Sequence, residues 1–221
     1  IWEEAGRADF ETLLRALTAL GAVQYRSPRL EADEAIAALV HRLADDADVV
    51  IRSDDKDFMQ LLSSRVRMRG RRRGEVLHSD VEAILGVTPE YAADWQALTG
   101  DPVDGIPRIV PPAKAVRLIG RLGHVREWLD GELPPDEPLR RTLDEGREQV
   151  RLNLELVDLS REAVEAAGGP GEPLLEGWGD LDVARAIGEE TGVSWLGADD
   201  LETAWAALRE GGRRMRERLG I

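Results

Sequence analysis

Seven carboxylates in three short stretches carry the chemistry that this sequence offers. "LEADEA" supplies Glu31, Asp33 and Glu34; "RSDDKDFMQLL" supplies Asp55 and Asp57 around Lys56, with Asp54 beside them; "TGDPVDGIP" supplies Asp101 and Asp104. Glu31 and Glu34 are three apart and share a helix face. Asp55 and Asp57 follow the β-branched run "DVVI", so they leave the end of a buried strand. Asp101 and Asp104 lie in a loop set by Gly100, Pro102, Gly105 and Pro107. Hard divalent cations such as Mg²⁺ take carboxylate oxygens and retain water. Two such ions a few ångströms apart assist phosphodiester cleavage. Each cluster alone has an equally ordinary reading. Acidic residues in a first helical turn gain ~0.3–1 kcal/mol from the helix dipole, and aspartates in a Pro/Gly loop form Asx turns.

The elements that would position these groups can be read from periodicity. Asp9 reads as the N-cap of "FETLLRALTAL", with Gly21 as its stop, and "AVQYR" as a short strand. "SPRLEADEAIAALVHRLADD" reads as a helix, "ADVVIRS" as a buried strand and "KDFMQLLSS" as a short helix. "RVRMRG" and "GEVLHS" read as a hairpin around an arginine-rich turn. This alternation predicts an α/β layer with a partly parallel sheet. From Ser79 onward only helical patterns follow, through "SDVEAILG", "TPEYAADWQALTG", "PPAKAVRLIGRLGHVREWL" and "LRRTLDEGREQVRLNLELVDLS". Residues 166–180 are Gly/Pro-rich and read as a linker, and two amphipathic helices follow it.

Composition narrows the classes. The 221 residues are 43% hydrophobic and 33% charged, the balance of a globular chain. No apolar run approaches the ~20 residues that span a bilayer, so no membrane association is expected. There is no cysteine, which excludes disulfides and thiolate ligands and suits a cytoplasmic setting. A net charge of −14 argues against non-specific coating of nucleic acid, yet it permits an acidic site flanked by a local basic patch. His41, His78 and His124 lack the spacing of a zinc site. Trp95, Trp128, Trp178, Trp195 and Trp205 fall at helical or turn positions and are expected in cores. Arg65, Arg67 and Arg69 share one face of a strand and lead into Arg71, Arg72 and Arg73, which is either a phosphate track or an exposed hairpin tip.

Taken in order, the three acidic stretches from about Asp9 to Leu159 resemble the 5′-3′ exonuclease domain family, the nucleases fused to bacterial DNA polymerase I and related to flap endonucleases. "LEADEAIAALVHRLA" is similar to the family's "EADD" helix, "VVIRSDDKDFMQLL" to its strand-to-helix corner, and "QALTGDPVDGIP" to its last acidic loop. The resemblance implies a PIN-like α/β fold with a partial parallel sheet, followed by an all-helical region with a degenerate helix-hairpin-helix. It implies three regions: a partial nuclease core over 1–78, a helical DNA-binding region over 79–165, and a linker with a helical appendage over 166–221. The implied activity is two-metal 5′-3′ exonuclease or flap endonuclease cleavage of DNA at 5′ ends or flaps, with Mg²⁺ or Mn²⁺. Glu31, Asp33, Asp55, Asp57, Asp101 and Asp104 would be catalytic metal ligands, with Glu34 as a further ligand. Lys56, Arg108, Lys114 and Arg117 would contact DNA, and Asp54 would be a cap or strand terminator outside the site.

Three departures temper the resemblance. The family's first strand, with its metal-binding Asp, a second acidic site and a basic arch have no counterpart before Asp9. The chain is therefore expected to be a fragment or to obtain that part, or a polymerase partner, from elsewhere. The family's glycine-rich hairpin turn is replaced by "PRIVPPAKAV", where prolines remove backbone donors. The family's Asn after the last aspartate is Gly105. These departures motivate an alternative: a nuclease-fold accessory or DNA-binding protein with impaired catalysis.

Overall fold

The computed structural model describes residues 4–25, 27, 29–131, 133, 138–168, 173–174, 180, 182–183 and 185–187, together with 206, 210, 213, 214 and 217. The chain divides into two compact units, residues 1–28 with 171–221, and residues 29–170.

The first unit contains α1 (Glu4–Ala19) and β1 (Gln24–Tyr25). The helix starts before the expected cap at Asp9, because "EEAGRA" ahead of it is built mostly of helix formers. Gln24 ties the two elements together, its Nε2 donating to the Leu14 carbonyl at 2.8 Å and to Thr18 Oγ1 at 2.6 Å.

The second unit begins with α2 (Ala32–Leu43), β2 (Val49–Ile51), a 3₁₀ helix (Lys56–Leu61), β3 (Val66–Arg69) and β4 (Glu75–Val76). Beyond them come α3 (Val81–Leu85), α4 (Ala92–Thr99), α5 (Pro112–Leu122), α6 (Val125–Leu129), α7 (Arg140–Glu145), α8 (Arg147–Val157) and α9 (Arg161–Ala166). In the first unit again, β5 (Pro173–Leu174) pairs antiparallel with β1, Gln24 opposite Leu174.

Two expectations change here. "AVQYR" does form a strand, but its partner is β5, and the three-stranded sheet runs β2–β3–β4 without it. A strand also exists beyond Ser79, within the segment read as a linker. Two-residue strands carry too little alternation to register in a pattern. Trp178, Trp195, Trp205 and most of the two C-terminal helices lie outside the described residues.

The sheet is mixed. β2 and β3 are parallel, Val49 opposite Val66 and Ile51 opposite Met68, while β3 and β4 form the expected hairpin with Met68 opposite Val76. The 3₁₀ helix lies within the crossover between the parallel pair, a connection of the length that parallel strands require. Alternation follows from the sequence: Val66 and Met68 are buried, and Arg67 and Arg69 point to the other face.

Two apolar clusters fill this unit. Ala37, Val40, Ile51, Phe58, Met59, Val66, Met68, Leu159 and Val164 pack α2, the sheet, the 3₁₀ helix and α9 together. Leu98, Leu118, Val125, Trp128, Leu143 and Val150 join α4 to α8, and Leu85 touches both clusters. Trp128 is buried, as expected, and Trp95 is half-buried. His41 Nε2 donates to the Leu159 carbonyl at 2.8 Å, a structural use of that histidine.

Candidate functional site

The corner after β2 folds on its own side chains. Asp55 caps the 3₁₀ helix, accepting from Asp57 N at 3.1 Å, and the Ser53 hydroxyl accepts from Asp55 N at 3.0 Å. Asp57 is thereby turned inward. Its carboxylate accepts a short hydrogen bond from Gln96 Nε2 of α4, and the Lys56 ammonium stands 3.6 Å away. Gln60, one 3₁₀ turn on, donates to the carbonyls of Asp57 and Val157, both at 2.9 Å, and accepts from Leu159 N at 2.9 Å.

The second acidic stretch is fixed by the end of α4. A helix leaves its last four carbonyls without intrahelical partners, and each of these is satisfied. Gly100 N donates to Gln96 O, Asn153 Nδ2 to Ala97 O, Ile109 N and Val110 N to Leu98 O, and Arg108 Nε to Thr99 O. The loop then closes on itself through Asp101 N to Ile106 O at 3.0 Å and Ile106 N to Asp101 O at 2.7 Å. Gly100 has φ +66, and a Cβ there would stand 2.5 Å from the Ile106 carbonyl oxygen, so a glycine is required. Buried Asn153 also donates to the Pro107 carbonyl at 2.8 Å. The outcome is a nearly buried Asp101, 7% exposed, and an exposed Asp104.

The Lys56 ammonium joins the two stretches, pairing closely with Asp101 as well as contacting Asp57. Burial pushes the Asp57 carboxyl up to about 6, with the neighbouring Asp55 charge adding to it. The hydrogen bond from Lys56 holds Asp101 below the ordinary carboxylate range. Desolvation, with Asp101 and Asp55 nearby, raises Asp104. Burial opposes the charge on Lys56, but Asp101, Asp57 and Asp55 outweigh it and raise its pKa. The structure thus brings Asp57 and Asp101 to one cation, with Asp55 and Asp104 near enough to be felt electrostatically.

Glu31, Asp33 and Glu34 are engaged with one another instead. Glu31 N donates to Glu34 Oε2 at 2.8 Å, and Glu34 N to Asp33 Oδ1 at 3.0 Å, as at an ordinary helix start. No hydrogen bond or ion pair among the described residues links them to the four aspartates. Of the candidate DNA contacts, Lys114 and Arg117 lie exposed on α5, Arg108 spends its Nε on α4, and Lys56 faces the aspartates. Asp54 lies outside the acidic group, capturing the arginine turn between β3 and β4.

Oxygen-only donors suit a hard divalent cation. The Lys56 ammonium is a stand-in for such an ion, drawing Asp57 and Asp101 toward one positive charge. Among the described residues, however, no three Asp, Glu or His side chains stand within reach of a single ion. Gln60, Gln96 and Asn153 were not legible as site residues, because the partners that tie them across the fold, Val157, Leu159, Asp57 and Ala97, lie 39 to 99 residues away.

Residues 3–86 match the family described as 5′-3′ exonuclease, N-terminal resolvase-like domain. The thermostable DNA polymerase I of Thermus filiformis is 34% identical over 166 residues, 69% of this chain and 20% of that protein. The DNA polymerase I of Pseudomonas aeruginosa is 33% identical over 186 residues, 77% of this chain and 20% of its own length. The chain thus spans about a fifth of the length of these relatives. Among solved structures, a point mutant of T5 5′-exonuclease is similar at 25% identity and TM-score 0.57, covering 73% of this chain and 64% of that one. T5 5′-exonuclease with bound divalent metal ions (zinc) is similar at 25% identity and TM-score 0.56, covering 73% and 58%. The mixed sheet followed by helices is the PIN-like arrangement of that fold. By its matched domain, its polymerase I relatives and its fold, the chain belongs to the 5′-3′ exonuclease domain family.

Proposed function

We propose that this chain is the nuclease part of a divalent-metal-dependent 5′-3′ exonuclease or flap endonuclease acting on DNA. The observation that carries the reading is the meeting of Asp57 and Asp101, from two separate acidic stretches, at the Lys56 ammonium, with Asp55 and Asp104 near enough to act on them through charge. In this reading Asp55, Asp57, Asp101 and Asp104, with Glu31, Asp33 and Glu34, would be the ligands of Mg²⁺ or Mn²⁺, which requires these carboxylates to draw closer together than they stand here. A divalent cation there supplies Lewis acidity toward a scissile phosphate. The chain's own residues orient the carboxylates: Gln96 and Gln60 fix the Asp57 corner, and the capped end of α4 fixes Asp101. The helical region over 79–165, with Lys114 and Arg117 exposed on α5, would carry the duplex. A polymerase partner is part of this reading, since the curated relatives are DNA polymerases I.

The second reading is a nuclease-fold accessory protein with impaired catalysis. It is favoured by one observation: among the described residues the "LEADEA" carboxylates do not meet the four aspartates. Mg²⁺-dependent cleavage of a 5′-flap DNA separates the two. The complete protein is expected to cleave, and Asp55→Ala to abolish cleavage while leaving the circular dichroism spectrum and melting temperature near those of the native chain. Undiminished cleavage by that variant refutes the assigned role.

A further inference from the structure

The turn between β3 and β4 is built around a carboxylate from a different element. Asp54 accepts from Arg71 N and Arg72 N, both at 3.0 Å, and more weakly from Arg73 N at 3.5 Å. Successive backbone N–H groups folded over one anion form a nest, and here the protein fills it with its own side chain. Those hydrogen bonds, from Arg72 foremost, lower the Asp54 pKa. Gly70 makes the approach possible, because a Cβ there would lie 2.0 Å from Asp54 Oδ1. Gly74, at φ +72, closes the turn, accepting from Gly70 N at 2.8 Å.

With its backbone donors occupied, the turn presents only side chains. Arg71, Arg72 and Arg73 are exposed, as are Arg65, just before β3, and Arg69 at its end. Arg67 pairs with Glu75 at 3.2 Å, whereas Arg65, Arg69, Arg71 and Arg73 form no ion pair among the described residues. In a chain of net charge −14, guanidinium groups that served only to balance the surface would be expected to pair with its carboxylates. These cluster on one turn instead. The turn also lies at a defined place. β2 and β3 are parallel, so the end of β3 and the end of β2 share one edge of the sheet, and Asp54 directly precedes Asp55.

We propose that the Asp54-held turn Arg71–Arg73 is a docking ridge for the phosphate backbone of DNA, beside the acidic group. This rests on the nuclease reading above and names the surface that admits a polyanion to an acidic protein. Arginine forks suit phosphate oxygens, and a turn fixed before binding loses less conformational freedom on docking. Asp54 acts as a positioning residue.

The test measures binding of the full chain to a 5′-flap DNA in EDTA across a salt series. Arg71→Gln/Arg72→Gln/Arg73→Gln should weaken binding about ten-fold or more at low salt and flatten the log Kd against log salt slope by roughly 2–3. Asp54→Ala removes a negative charge, so bulk electrostatics alone would tighten binding; a held turn predicts weaker binding with all arginines intact. An unchanged affinity and slope in the triple variant overturns the proposal, as does tighter binding by Asp54→Ala. A loss seen with a matched RNA flap and not with DNA also overturns it. Because no metal is present, these results are independent of whether the native chain cleaves. Native binding without cleavage would defeat the nuclease reading alone, and cleavage with an indifferent triple variant would defeat this one alone.

Discussion

Asp57 is the residue at which burial and charge are most opposed. Its side chain is 15% exposed, yet it lies beside Asp55 and at the ammonium of Lys56. In the folded chain its carboxyl is raised from 3.8 to about 6, so folding is favoured by its protonation. That contribution is fully present below about pH 3.8 and is lost as the pH rises through about 6. Asp57→Asn keeps an acceptor for Gln96 and removes the charge. In EDTA it should therefore raise stability by about 1–3 kcal/mol near neutral pH, with the gain shrinking as the pH falls toward about 4. Thermal melts across that range check it, and a gain that grows on acidification would contradict the cause assigned here. The types of Asp55 and Asp57 were legible from their place after "DVVI", because a strand end and a cap are local events. Gln96 was not: in sequence it is one more polar residue in a helix, and only the packing of α4 reveals its partner.

At the scale of elements, the end of α4 decides where Asp101 stands. Asn153 reaches across from α8 to two carbonyls, Ala97 and Pro107, and accepts from Gln149 at 2.9 Å while wholly buried. Asn153→Leu is close in volume but leaves these groups without partners. It should cost about 2–4 kcal/mol, measured by urea unfolding; a loss well under 1 kcal/mol would show that water replaces the amide. The helices of this region were legible because glycine stops are local: Gly86 and Gly123 follow α3 and α5, whereas the break at Gly146 between α7 and α8 falls inside a stretch that reads as helical throughout. The sheet was only partly so. Val66 and Met68 announce β3 and its buried face, but nothing in "AVQYR" states which strand it will pair with. Pairing is a long-range choice, and two-residue strands leave no periodic trace of it. The three acidic stretches were legible as a set, while the separation of "LEADEA" from the other two was not. A capping arrangement and a metal ligand set use the same residue types.

At the scale of the whole molecule, metal binding should register as stability. If the four aspartates hold Mg²⁺, saturating metal should raise the melting temperature by about 5–10 °C, as a ligand at ~100 times its Kd contributes about 2.7 kcal/mol. Lys56→Met removes the internal cation, so it should melt lower than the native chain in EDTA and gain more on adding Mg²⁺. Equal gains in the two chains would show that Lys56 and metal do not compete. Among the described residues no helix is long and apolar enough to cross a membrane. The pairing of β1 with β5 has a consequence in time. Gln24 and Leu174 meet only after the whole of residues 29–170 has been made. Closing so long a span is slow relative to local structure. During synthesis, residues 29–170 can complete their two apolar clusters while the strand after α1 still lacks its partner. The β1–β5 pair thus forms after residues 29–170 have been made, although α1 precedes all of them in the sequence.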